Sequence, residues 1–264
     1  MEPSVKRTIL RLEPGRSASL ADEVVVEARI ELDVNEGRGQ LPLVCSPCDV
    51  EALAVGLLLS DGAIRHRQDL HAAEYFPAEN KVAVLGDFDE SVLKDMQLHR
   101  VQACGAAAHT FTGSGLRLSP QQLLALAEQF DRRMDLWRRT GGVHACALAE
   151  ADGIVLFAED IGRHNAFDKV MGKAFLEGID VADRLVLTTC RLSGTIVTKA
   201  VACGVCMLAS GSAVTHLAVE LAEKAGLTLV GFLRDGRMNV YADRRRIDGK
   251  AGPAASTPNG KEST

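Results

Sequence analysis

A chain of 264 residues with 47% hydrophobic content and a mean hydropathy near zero can bury one large core or two smaller ones. Thirty Lys and Arg against 35 Asp and Glu give a net charge of −5, and one Trp, two Tyr and eight Phe are too few for a base-stacking set, so nothing here points to nucleic acid. Met1 to Glu13 carries no apolar stretch of the secretory kind and no apolar run reaches the roughly 18 residues of a membrane helix, so the expected location is the cytoplasm and no membrane partner is expected.

Seven cysteines in a chain too large to depend on disulfides favour reduced thiols, a metal site or thiol chemistry. In chain order, Val24 to Val34 alternates charged Glu27, Arg29, Glu31 and Asp33 with apolar Ala28, Ile30, Leu32 and Val34, the pattern of a half-buried strand. Asn35 to Gly39 turns it, and Leu41 to Cys45 supplies a partner strand. Ser46-Pro47-Cys48-Asp49 reads as a helix start, with Ser46 as N-cap and Pro47 at the first helical position; Leu53, Ala54, Leu57 and Leu58 line one face until Gly62. Cys45 and Cys48 fit there as small buried residues.

Between Arg65 and Arg100 only Lys81 to Leu85 shows a strand pattern. The small-residue stretch Val101 to Ala108 holds Cys104 and runs into Thr112-Gly113-Ser114-Gly115, a loop in which a thiol is accessible and free to be repositioned. Ser119-Pro120-Gln121-Gln122 opens a capped helix with Leu123, Leu124, Ala127, Phe130 and Met134 on one face. A domain boundary is expected near residues 110–118. The expected organisation is an N-terminal α+β domain over 1–115, an α/β domain over 116–247, and a polar tail over 248–264 that lacks the apolar residues to order itself.

From Thr140 the pattern becomes regular. A strand near Ala147 to Glu150 turns at Asp152-Gly153 into a strand over 154–158, and Ala166, Phe167, Val170, Met171 and Ala174 follow at helical spacing. Arg184–Thr189 (strand), Gly194–Ala202 (helix), Val205–Ala209 (strand), Thr215–Ala225 (helix closed by Gly226) and Leu227–Phe232 (strand) continue it, the alternation of βαβ units on a largely parallel sheet. Four polar stretches then fall at strand carboxyl ends: Glu159 to His164, Cys190 to Ser193, Gly211 to Thr215, and Leu233 to Arg237. Parallel sheets bind ligands at that edge, and Arg163, Arg191, Arg234 and Arg237 beside helix N-termini suit a phosphorylated ligand.

Thr140-Gly-Gly-Val-His-Ala, Glu159-Asp-Ile-Gly-Arg-His-Asn-Ala, Asp168-Lys169, Ser212-Ala-Val-Thr, Leu217-Ala-Val-Glu and Gly231-Phe-Leu-Arg-Asp-Gly-Arg-Met-Asn-Val-Tyr241 together resemble the FdhD/NarQ family of formate dehydrogenase accessory proteins, and Ser46-Pro-Cys-Asp-Val-Glu51 with Leu53-Ala-Val-Gly56 extends the match over roughly residues 20–247. The resemblance implies a sulfur carrier, a sulfurtransferase working through a cysteine persulfide. A cysteine desulfurase would load it, and the sulfur would pass to the molybdenum cofactor, bis-molybdopterin guanine dinucleotide, bound as substrate before insertion into formate dehydrogenase. It also implies a C-terminal domain like the cytidine deaminases and a homodimer.

Carried over by position, the persulfide cysteine falls on Cys104 and the cofactor-binding loop on Phe232, Leu233, Arg234, Asp235, Gly236 and Arg237; Arg163, His164 and Arg191 join them from the strand-end loops. The family's Cys-Gly-x-Cys-Gly loop departs here, with Ala107 and Ala108 at its last two positions, and Thr195 stands at an acidic position of the family. The alternative reading is therefore a cofactor-binding chaperone without sulfur transfer. A zinc deaminase would need His-x-Glu and Pro-Cys-x-x-Cys, whereas His144-Ala145-Cys146 lacks the Glu and Cys203-Gly204-Val205-Cys206 the Pro. Cys45, Cys48, Cys203 and Cys206 lie far outside the roughly 15–20 residue separation of zinc ribbons, so no permanent metal is expected.

Overall fold

The computed structural model describes residues 2–97 and 115–249, and the Cys104 loop and most of the polar tail lie outside the described residues. The chain opens on an antiparallel hairpin of β1 (Ser4–Glu13) and β2 (Arg16–Val25), turned at Gly15, whose φ of 74° suits glycine. A four-stranded sheet follows, built from β3 (Ala28–Val34), β4 (Gly39–Cys45), β5 (Leu70–Phe76) and β6 (Lys81–Gly86) in the order β4-β3-β6-β5. Ile30, Leu32, Leu41, Leu43, Val82 and Val84 all point to one face, the consequence of period-two alternation, and α1 (Val50–Ser60) covers that face with Leu53, Ala54 and Leu58.

Three expectations are corrected here. The alternating run from Val24 is two strands, because the chain breaks at Val26-Glu27: Val24 and Val25 finish the hairpin and β3 begins at Ala28. The first helix starts at Val50, with Asp49 as N-cap in the left-handed region and no side-chain cap, while Ser46 and Pro47 stay outside it. The span after Arg65, where only one strand was legible, also holds β5 and α2 (Glu90–Gln97).

The second sheet has six strands in the order β12-β11-β10-β9-β7-β8, formed by β7 (His144–Ala149), β8 (Ile154–Asp160), β9 (Leu185–Thr188), β10 (Met207–Ser210), β11 (Thr228–Arg234) and β12 (Arg237–Ala242). It is mixed rather than largely parallel: β9-β10-β11 pair parallel, while β7-β8, β7-β9 and β11-β12 pair antiparallel. The reason is that β7-β8 and β11-β12 are joined by tight hairpins, which can only pair antiparallel. On one face lie α3 (Pro120–Arg133), opened by the capping box of Ser119 and Gln122, and the short α4 (Asp135–Thr140). On the other lie α5 (Arg163–Glu177), α6 (Gly194–Ala202) and α7 (His216–Ala225). Along β7, Ala145, Ala147 and Ala149 face α3 while Cys146 and Leu148 face α5, so the strand is buried on both sides. Among the described residues no helix is long and apolar enough to cross a membrane.

The two sheets meet where α1 packs on α5, and charge is buried at that junction. Lys169 Nζ lies 2.6 Å from Asp160, both fully buried, and also donates to the Ser46 carbonyl. Lys199 Nζ lies 2.9 Å from Asp168 and donates to Ser60 Oγ at 2.7 Å. Burial works against the Lys199 ammonium, but the carboxylates of Asp168 and Asp61 outweigh it and hold its pKa above the ordinary lysine value. Ions are tolerated inside a protein only when so paired.

Candidate functional site at the strand carboxyl ends

Because β8 opposes β7 and β7 opposes β9, strand β8 runs in the same direction as β9, β10 and β11, so the loops after all four emerge at one edge. Strand β7 begins at that edge with His144. The loop after β8 is held from the inside. Asp160 accepts from Ser46 N at 3.0 Å, from Gly162 N at 2.8 Å and from Asn165 Nδ2 at 2.9 Å, in addition to its pairing with Lys169. Ser46 Oγ accepts from Ile161 N at 3.2 Å, and Asn165 Nδ2 also reaches the Val44 carbonyl at 2.8 Å. With these groups committed to structure, Arg163 and His164 are the residues of this loop left to face the edge.

His164 Nε2 lies 3.2 Å from Thr195 Oγ1 on α6, and His144 Nδ1 lies 3.3 Å from Thr189 Oγ1. Burial, then the charges of Arg163 and Lys199 and the neighbouring His144, push the His164 pKa down to about 4, so its imidazole is neutral at physiological pH. His144 is lowered for the same first two reasons, burial and Arg163, with Asp160 opposing. Arg163 and Arg191 both act on buried Cys190, whose pKa burial nevertheless raises. The structure thus groups Arg163, His164 and Arg191 around the ends of β7, β8 and β9.

Further along the edge, Phe232 to Arg237 form the tip of the β11-β12 hairpin. Phe232, Asp235 and Gly236 all have positive φ, and Phe232 N donates to the Ser212 carbonyl at 3.0 Å, which ties the tip to the loop after β10. The hairpin register sets Arg234 opposite Arg237, both exposed, and the Arg234 guanidinium stands 5.9 Å from the Phe232 ring centre and 3.8 Å from Asp235. Beside this tip a cleft of about 280 Å³ opens between α3 and the sheet edge, with Thr189, Ser212, Leu233 and Arg234 below and Phe130 and Asp131 above. Of the residues expected from sequence, Leu233 and Arg234 line the cleft; Phe232, Asp235, Gly236 and Arg237 shape the turn next to it. Asp131 and Thr189 were not foreseen. Thr189 ends a legible strand, whereas Asp131 reads in sequence only as the polar side of α3.

Cys104 lies outside the described residues. Among the described cysteines, Cys45 is pushed up to about 12 by burial and Cys48 is raised by burial despite Lys169 Nζ at 3.7 Å, so neither is a ready thiolate.

The profile of the FdhD/NarQ family matches residues 25–248. The chain is 32% identical over 253 residues to the sulfur carrier protein FdhD of Bacillus subtilis, covering 91% of this chain and 96% of that one. It is 33% identical over 261 residues to that of Staphylococcus aureus, covering 92% and 96%. A crystal structure described as a formate dehydrogenase accessory protein from Desulfotalea psychrophila superposes with a TM-score of 0.80 at 24% identity, over 93% of this chain and 100% of that one.

Proposed function

Because the chain belongs to the FdhD/NarQ family, we propose that it is a cytoplasmic, homodimeric sulfur carrier for the maturation of a formate dehydrogenase. It would take sulfur from a cysteine desulfurase as a persulfide on Cys104. It would pass that sulfur to the molybdenum of bis-molybdopterin guanine dinucleotide, held as substrate. In the loading step the Cys104 thiolate attacks the outer sulfur of the desulfurase persulfide; a Cys104 sulfur–sulfur bond forms, the donor's breaks, and the desulfurase thiolate leaves.

The observation that carries this reading is the convergence of Arg163, Arg191, Arg234 and Arg237, all exposed, on one edge of the sheet. That donor set suits the phosphates of a dinucleotide, since each guanidinium offers a planar fork to an oxyanion. His164 adds a neutral imidazole there. A cytidine-deaminase-like architecture for the C-terminal half belongs to the same reading. The relatives named sulfur carriers match across nine-tenths of the chain, which favours a carrier over a chaperone without sulfur transfer.

The test is intact-protein mass spectrometry after incubation with a cysteine desulfurase and cysteine. A one-sulfur adduct is expected on the wild type and absent from a folded Cys104→Ser variant. An adduct that maps to Cys48, Cys203 or Cys206, or no adduct at all, overturns the assignment of Cys104.

A further inference from the structure

Asp131 stands on the last turn of α3 and lines the cleft at the sheet edge, opposite Ser212 and Arg234. Among the described residues no N–H, O–H or cation meets its carboxylate; the charged group that acts on it is Glu128, one turn back on the same helix. Asp131 is solvent-exposed and so open to a ligand entering the cleft, while partial desolvation and that like charge both raise its pKa. An accessible acceptor without a protein donor, in a cleft at the carboxyl ends of β9, β10 and β11, is placed to take donors from a ligand bound there.

We propose that Asp131 reads the base of the bound dinucleotide, its carboxylate accepting the N1–H and the 2-amino group of guanine in the cleft beside the Phe232–Arg237 hairpin tip. This rests on the reading of that edge as a guanine-dinucleotide site. Two acceptor oxygens in one plane match an edge that presents two adjacent donors. Guanine has that edge. Adenine and cytosine present a donor beside an acceptor, and uracil a single N–H flanked by carbonyls whose lone pairs would face the carboxylate. The cleft volume, about 280 Å³, leaves room for one base and not for a whole dinucleotide. Leu187, Leu233 and Phe130 give it apolar walls for the faces of a ring, and Arg234 at its mouth stands where a phosphate chain would leave.

The proposal is tested by calorimetric titration of full-length wild type and Asp131→Asn with the diphosphates of guanosine, inosine, xanthosine and adenosine. Wild type is expected to bind GDP at least tenfold more tightly than inosine diphosphate, which lacks the 2-amino group, and to discriminate more strongly against ADP. In Asp131→Asn the side-chain amide offers a donor where an acceptor stood, so GDP affinity falls at least tenfold while xanthosine diphosphate, with a carbonyl at position 2, gains. A gain of binding cannot come from a damaged fold. If Asp131→Asn keeps the wild-type preference for GDP, or loses GDP without gaining xanthosine diphosphate, Asp131 does not read the base, although the edge still binds guanine nucleotides. If wild type binds none of the four, the guanine-dinucleotide reading of the edge falls, and this proposal with it.

Discussion

Gly56 of α1 and Gly172 of α5 lie face to face where the two helices cross: a Cβ on either would stand 2.9 Å from the backbone nitrogen of the other. It would also overlap a carbonyl oxygen of the facing helix, Asp168 for Gly56 and Ala52 for Gly172. No side chain stands between the backbones, and nothing flexible is present to yield. Gly56→Ala is therefore expected to destabilise the protein by about 3 kcal/mol or more, because the helices must separate and loosen Asp168 and Lys169 beside them. Urea denaturation checks this; a loss under about 1 kcal/mol would mean that the crossing can slide.

Removing one member of a buried ion pair leaves the other uncompensated. Lys169→Met should cost about 3–5 kcal/mol, since Asp160 keeps its burial and loses the ammonium 2.6 Å away. In a double-mutant cycle with Asp160→Asn the two losses should fall short of additivity by at least about 1 kcal/mol. Additive losses would show that the pair is not coupled.

The depressed pKa of His164 makes stability depend on pH. Between about 4 and the ordinary histidine value of 6.5, the unfolded chain carries a proton at His164 that the folded chain does not. Unfolding then takes up a proton, so the stabilising contribution is complete above that window and is lost as the pH falls through it. With allowance for solvent screening the loss is about 1–2 kcal/mol. Denaturant titrations at several pH values should show a shallower slope for His164→Gln than for wild type over this window; identical slopes would remove His164 as the source.

Arg237→Ala should weaken binding of a guanine nucleotide by about 1.5–3 kcal/mol, the range for a hydrogen bond to a charged group, as read by calorimetry. Unchanged affinity with the fold intact would remove the hairpin tip from the site. Arg163→Ala tests the loop after β8 in the same way. A fall in melting temperature alone would make that residue structural.

With Ala107 three residues after Cys104, no neighbouring thiol at that position can attack a persulfide and close a local disulfide. Ala107→Cys should therefore shed loaded sulfur faster than wild type and accumulate a disulfide between positions 104 and 107. Mass spectrometry over time distinguishes the two; equal lifetimes would show that some other thiol or reductant controls release.

What the sequence by itself determined was local. The helical spacing of Ala166, Phe167, Val170, Met171 and Ala174 placed all five in the core, the Ser119 and Gln122 pair capped α3 where expected, and the polar stretches at Glu159, Cys190, Gly211 and Leu233 reached a common edge. Such features repeat every two or 3.6 residues, or turn on a cap within one helical turn, so a window of a dozen residues contains the whole cause.

The tertiary structure decided what depends on partners remote in sequence. Ser46 resembles a helix cap, yet its backbone N–H donates to Asp160 and its hydroxyl oxygen accepts from Ile161 N, 114 and 115 positions away, so α1 starts at Val50. Asp168 and Lys169 are adjacent charges on α5, and both are buried because Lys199 and Asp160 fold against them. Asp131 lies on the polar side of its own helix and becomes a cleft residue only because β9, β10 and β11 end beneath it. A charge or a donor is placed by whatever answers it, and in this protein the answer comes from another layer of the fold.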